Sequence, residues 1–231
     1  MPTPVGNLGD MSPRAVEILK SVDLILAEDT RTSAVLMQKF GITTPMTSHH
    51  KFNEHDTCKQ LAERVAAGEN IALVSDAGTP GISDPGFMLS RECRRRGLDV
   101  VTLPGPTAFV PALVSSGLPC DRFVFEGFLP QKKGRATRLA ALANDDRTFV
   151  IYESPLRLVK TLQQLADACG PEREASVSRE ISKVHETTVR GTLAILHKYF
   201  SENQPKGEIV VVVAGKPSEP TKEHKNKYKL N

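Results

Sequence analysis

IALV (71–74) runs directly into SDAGTPGISDPG (75–86), and LDVVTL (98–103) runs directly into PGPTA (104–108). In both places an apolar run the length of a buried strand gives way to a loop dense in glycine and proline, and then to a helix-like stretch. Strands that continue through such loops into helices return by crossover and build a mostly parallel sheet, buried on both faces. Ligands of these sheets bind beyond the carboxyl ends of the strands. The two loops fall at such ends and can line one crevice.

The rest of the chain continues the alternation. Ser12 before Pro13 reads as an N-cap and a first-turn proline, and Ala15, Val16, Ile18 and Leu19 give a helical stripe ending near Ser21. VDLILA (22–27) reads as a buried strand. Helices are expected from Thr30 to Phe40, closed by Gly41, over about 56–67, stopped by Gly68, and from Phe87 to Arg96, ended by Gly97. LDVVTL (98–103) is the next expected strand, and a helix opens after PGPTA. GLPCDRF (117–123) marks a boundary, so residues 1–118 form an N-terminal α/β domain with a mostly parallel sheet and 119–216 a C-terminal α/β domain with a mixed sheet. The second half contributes FVFEGF, helices near 134–143 and 155–168, strands at 147–154 and 174–178, and GEIVVVVAG (207–215). The charged stretch 217–231 reads as a disordered basic tail.

At 231 residues and 39% hydrophobic content, a sizeable core is attainable. No signal pattern or membrane-length apolar run is present, so a cytoplasmic location is expected. Four scattered cysteines with no CxxC spacing suit a reducing compartment and argue against a zinc ribbon. The net charge of +3 is only mildly basic, but the cations cluster at 94–96 (RRR), at 132–135 (KKGR) with Arg138, and in the tail.

What the loops hold is narrowed by what they lack. SDAGTPGISDPG has no lysine for a P-loop, and neither loop supplies GxGxxG. Asp76 and Asp84 do not have EF-hand spacing. HHKFNEH (49–55) is not HExxH, and reads as substrate-side or structural rather than metal-binding. For one such loop, turn-capping aspartates and positive-φ glycines would be explanation enough. Three loops, at 2–10, 75–86 and 103–108, instead let backbone approach a ligand from three sides, with one acid nearby. That suits a neutral-to-cationic organic cofactor better than a triphosphate.

PTPVGNLGDMSPRA (2–15), AEDTRTS (27–33), VSDAGTPGISDPG (74–86), LPGPTA (103–108), GFLPQKKGR (127–135) and YESPLR (152–157) resemble the tetrapyrrole-methylase family. Within it they resemble the branch that methylates a cytidine ribose 2′-oxygen in 16S ribosomal RNA. The similarity runs from Pro2 to about Gly215. It implies two α/β domains, S-adenosyl-L-methionine in the cleft between them, a homodimer, and 16S rRNA of the small ribosomal subunit as partner. By motif position, the resemblance assigns cofactor contacts to Pro4, Val5, Asp76, Gly78, Thr79, Thr107, Ala108, Tyr152 and Ala214. Relatives carry an apolar strand before this first motif. A chain starting at Met1 is therefore expected to bind the cofactor weakly and to be less stable. Leu156 replaces a histidine common in the family.

Methyl transfer to a hydroxyl is an in-line displacement that benefits from alignment and from a base. Candidate bases are Asp29, Glu28 and Glu153, with Glu180 and Glu186 also considered. AEDTRT follows a strand end, which favours Glu28, Asp29 and Arg31 facing the cleft; the plain alternative is that Asp29 or Thr30 only caps the next helix. Lys132, Lys133, Arg135 and Arg138 are expected to form a mobile basic arm for RNA, and Arg179 and Lys183 to meet phosphates. The other readings are a methylase of a small tetrapyrrole and a non-catalytic rRNA-binding protein.

Overall fold

The computed structural model describes residues 1–51 and 53–217. Phe52 and the tail beyond Pro217, including the segment expected to be disordered, lie outside the described residues. The chain divides into two compact units, residues 1–112 with 178–187, and 113–177 with the residues from 188 onward. The sequence reading placed the boundary six residues later, and gave the first domain no share of the second half.

In the first unit, β1 (Leu24–Ala27), β2 (Met46–Ser48) and β3 (Ile71–Val74) form a parallel sheet in the order β2-β1-β3. β1 is central and buried at every position. Because side chains alternate along a strand, its residues serve two cores. Ile25 and Ala27 join Ala15, Leu19 and Met37 from α1 (Pro13–Ser21) and α2 (Thr30–Lys39). Leu24 and Leu26 join Cys58, Leu61, Leu89 and Cys93 from α3 (Glu54–Ala66) and α4 (Phe87–Arg95). The sheet is therefore covered by helices on both faces, as continuous apolar strands require. Local signals act as read: the Ser12 hydroxyl accepts from the Ala15 amide at 3.1 Å, and Pro13 stands in the first turn of α1.

LDVVTL is not a strand, contrary to expectation; residues 98–103 run without regular structure, and Val101 is 75% exposed. An apolar run becomes a strand only where a neighbour supplies the ladder. The sheet ends at β3 on that side. Beside β3, residues 1–3 form no strand: Met1 N donates to the Leu73 carbonyl at 2.6 Å, the Thr3 hydroxyl to Ser75 O at 3.1 Å, and the Thr3 backbone makes an isolated bridge with Gly78.

After α5 (Phe109–Ser116), the second unit carries a five-stranded mixed sheet in the order β4-β5-β8-β6-β7, formed by β4 (Phe123–Phe128), β5 (Thr148–Glu153), β6 (Glu174–Arg179), β7 (Thr187–Thr192) and β8 (Ile209–Val213). β4 and β5 are parallel, whereas β5 and β8 are antiparallel. α6 (Arg135–Asn144), α7 (Leu158–Cys169) and α8 (Leu193–Glu202) pack on it through a core that includes Phe149, Ile151, Leu162, Leu196 and Val211. Each fully buried large aliphatic side chain stabilises the fold by about 1.5–3 kcal/mol. β2, β7 and α8 have no counterpart in the sequence reading: the two strands are partly exposed and weakly patterned.

Candidate functional site

Three loops of the first unit are laced together. Thr3 and Gly78 exchange backbone hydrogen bonds in both directions at 2.9 Å, joining the 2–10 loop to the loop after β3. The Thr79 hydroxyl donates to Pro106 O at 3.2 Å, joining that loop to 103–108. Gly105 closes the triangle: a Cβ there would stand 2.7 Å from the Cγ of Pro2. Gly78, at φ +80°, brings its backbone to Val5, where a Cβ would lie 3.5 Å from Cγ1. Gly105 is thus required by close approach, and Gly78 by its left-handed conformation.

Cavities flank the 2–10 loop on two sides. One, of about 530 Å³, is lined by Pro4, Gly6, Thr32, Ser33, Ser75 and Asp76, among others. The second, of about 590 Å³, is lined by Val5, Asp10, Gly105, Thr107, Ser182 and Glu186, among others. Both are of the size that holds a nucleoside-sized ligand. Of the cofactor contacts expected from sequence, Pro4 and Asp76 face the first, Val5 and Thr107 the second, and Gly78 and Thr79 knot the loops between them. Tyr152 and Ala214 belong to the second unit. The Tyr152 ring packs edge-on to Phe125 at 5.3 Å between centroids and against Phe128 at 5.6 Å. Ala214 donates its amide to Glu174 O at 2.9 Å and its carbonyl accepts from Arg173 at 3.1 Å. Ala108 directly precedes α5.

The acids after β1 diverge in character. The Asp29 carboxylate caps α2 by accepting from the Arg31 amide at 2.9 Å, and is gripped by the Arg31 guanidinium at 2.7 and 3.1 Å. Those hydrogen bonds hold its pKa at about 2. Arg31 itself is highly exposed. Burial instead raises the Glu28 carboxyl above its ordinary value, and the nearby Asp76 charge adds to the rise; a hydrogen bond from the Asp76 backbone and the proximity of His50 act against it. Asp76 in turn accepts the Asp29 amide at 3.1 Å. A half-buried carboxylate with a raised pKa suits proton uptake, whereas one neutralised by a bidentate arginine does not.

Residues 178–187 bring what periodicity did not reveal. The Ser182 hydroxyl donates to Asp10 at 2.5 Å, across 172 positions of sequence, and its amide donates to Glu186 at 2.6 Å. Glu180 and Ser182 have φ of +53° and +67°. Non-glycine residues held there cost energy and persist where their surroundings over-determine them, often at functional sites. Lys183 pairs with Glu180 at 2.9 Å, and Arg179 donates to the Thr187 hydroxyl at 2.8 Å. Ile181 and Ser182 line the second cavity, a role the sequence reading did not give them. The REISK stretch and the considered base Glu186 were the sequence signals pointing here.

In the second unit, Glu153 is buried and fully occupied. It accepts from the Ser154 amide at 2.7 Å, the Thr161 hydroxyl at 2.7 Å and Arg157 at 2.8 Å, and lies 3.8 Å from Arg135. Arg135 also donates to Gln164 at 2.8 Å, Thr161 at 2.7 Å and Pro130 O at 3.1 Å. Arg138 is held bidentately by Glu126. The expected mobile basic arm is therefore anchored at both arginines, because the carboxylates of Glu153 and Glu126 face them; Lys132 and Lys133, just before α6, remain exposed.

Residues 2–196 match the family described as Tetrapyrrole (Corrin/Porphyrin) Methylases. The chain is 54% identical over 214 residues to ribosomal RNA small subunit methyltransferase I of Synechocystis sp., covering 92% of this chain and 77% of that protein. It is 43% identical to the Thermotoga maritima protein of the same name, covering 93% and 96%. Among solved structures, diphthine synthase superposes with a TM-score of 0.69 at 15% identity, covering 91% of this chain and 87% of that one. Cobalt precorrin-4 methyltransferase, a cobalamin biosynthetic enzyme, does so with 0.67 at 16%, covering 93% and 92%. At those identities the structural likeness speaks to fold.

Proposed function

The chain belongs to the tetrapyrrole (corrin/porphyrin) methylases, whose methyl donor is S-adenosyl-L-methionine, and we propose that it methylates the ribose 2′-oxygen of a cytidine in 16S ribosomal RNA of the small ribosomal subunit. The observation that carries the choice of substrate is the 54% identity, over nine-tenths of the chain, to a ribosomal RNA small subunit methyltransferase. The loop geometry fits the donor: three loops pack together at Gly78 and Gly105, beside cavities with Asp76 on one rim.

Bound there, the donor would supply an electrophilic methyl group on a sulfonium sulfur. Gly78, Gly105 and Thr107 offer close backbone contact, and Pro4 and Val5 shape the walls. Glu28 accepts the proton that the 2′-hydroxyl gives up as its oxygen gains the methyl group, worth about 10²–10⁴-fold in rate. Asp29 acts through structure, capping α2 and holding Arg31. Arg31, Lys132 and Lys133, with Arg179 and Lys183 at the 178–187 segment, contribute to RNA affinity. We place the protein in the cytoplasm as a homodimer; among the described residues no helix is long and apolar enough to cross a membrane.

The test is transfer of labelled methyl from S-adenosyl-L-methionine to purified small ribosomal subunits. Label in 16S rRNA at a position that resists alkaline cleavage on its 3′ side supports the reading. Saturable cofactor binding without RNA labelling would point instead to a small tetrapyrrole acceptor. Absence of cofactor binding would leave a non-catalytic rRNA-binding protein.

A further inference from the structure

Helix α4 begins immediately after the 75–86 loop, and its outer face is unusual in composition. Phe87, its first residue, is 61% exposed. The Arg91 guanidinium lies over its ring, 5.2 Å from the centroid. Arg94 and Arg95 follow, so positions 87, 91, 94 and 95 fall on one helical stripe, at i, i+4, i+7 and i+8. The opposite stripe, Leu89 and Cys93, is buried in the core. Arg96 turns aside to Glu92 at 2.8 Å and Glu63 at 3.5 Å. Arg94 has a 3.8 Å contact with Asp99, whose side chain is 98% exposed, a pairing that exchanges at little cost.

Phe87 is fixed at the surface by its predecessor. Gly86 has φ +133°, and a Cβ there would stand 2.7 Å from the Leu73 side chain. The backbone is thus seated against β3, and the ring is displayed at the end of the cofactor loop.

A single exposed phenylalanine calls for no explanation. One stacked by a guanidinium, in line with two further arginines, combines a π-surface with a track of cations. That is the recognition chemistry of unpaired nucleic acid: bases stack on aromatic and guanidinium planes while phosphates meet cations. An acidic peptide would use the arginines but not the ring.

We propose that the outer face of α4 docks single-stranded RNA, with an unpaired base stacked on Phe87 and Arg91 and with Arg94 and Arg95 on flanking phosphates. The proposal rests on the RNA reading above, and gives that substrate a second point of contact beside the cofactor loops. It follows that the target nucleotide is presented from an unpaired segment.

The test is fluorescence anisotropy of a labelled single-stranded oligoribonucleotide titrated with the wild-type chain, Phe87→Ala, Phe87→Trp and the Arg94→Gln/Arg95→Gln double variant. Stacking of one base sets the expected loss for Phe87→Ala at about 5- to 150-fold, with Phe87→Trp retaining affinity. The double variant should flatten the dependence of log affinity on log salt by about 1.4, at roughly 0.7 per phosphate on a single strand. All variants should bind S-adenosyl-L-methionine as the wild type does. Equal RNA affinity in wild type and Phe87→Ala overturns the proposal, as does competition by polyglutamate that the Phe87 substitutions leave unchanged. Methyl transfer to small subunits is measured alongside. Transfer with no effect of the α4 variants sinks the docking face and keeps the methyltransferase reading. RNA binding through Phe87 without transfer does the reverse.

Discussion

Replacing Glu153 by glutamine separates a structural role from a catalytic one. The side chain of Glu153 is 1% exposed and that of Arg135 is 11% exposed, and the two lie 3.8 Å apart. Thr161, which donates to Glu153 and accepts from Arg135, is also fully buried. Arg157, at 36% side-chain exposure, can turn to water once the charge is gone; Arg135 has no such escape. Breaking a buried ion pair from one side costs about 3–5 kcal/mol, because the remaining charge stays desolvated. For a chain of this size, each kcal/mol lowers Tm by about 2–4 °C, so Glu153→Gln should lower Tm by roughly 6–20 °C. Scanning calorimetry measures the shift, and labelled methyl transfer below the transition measures turnover per folded molecule, expected to stay within a few-fold of wild type. Adding Arg135→Met should recover part of the lost stability, since the uncompensated charge is then removed. An unchanged Tm with turnover reduced 100-fold or more would refute this reasoning and restore Glu153 as a base.

Glu28→Gln should reduce methyl transfer by about 10²–10⁴-fold with cofactor affinity preserved. Burial raises the Glu28 pKa on folding, so the folded state holds this proton more tightly than the unfolded chain, and stability falls as pH rises through the folded value. The glutamine variant should therefore lose that pH-dependent decline above the ordinary carboxylate range, which urea titrations at several pH values would show; an unchanged pH profile counts against it. Gly105→Ala drives a Cβ into the Pro2 ring and should weaken cofactor binding at least about 10-fold by calorimetry, whereas native affinity would mean that the loops are not seated as described. Of the cysteines, exposed Cys120 should react rapidly with a thiol reagent near neutral pH, while Cys58, buried and with its thiol pushed up to about 11, should react only on unfolding.

Much of the first unit was legible because its signals are local. The Ser12 cap, the Pro13 first turn and the buried runs of β1 and β3 are each decided within a few residues, by hydrogen bonds to neighbouring amides or by a continuous apolar run. The glycine- and proline-rich loops were recognisable as loops after buried strands for the same reason, and their resemblance to the methylase motifs named the cofactor.

Tertiary structure decided the rest, and in each case the reason is a partner distant in sequence. Residues 98–103 have a strand's composition, but among the described residues no strand lies beside them to complete a ladder. Arg135 looked like a free cation on a basic stretch until Glu153 and Thr161 enclosed it. Asp29 and Glu28 are adjacent in sequence, yet an arginine neutralises one and burial protonates the other more readily. Ser182 reaches the 2–10 loop because its hydroxyl meets Asp10, 172 residues away. Periodicity and capping report what a segment does with its own backbone; charge pairing, burial and loop-to-loop contact depend on which segments the fold brings together.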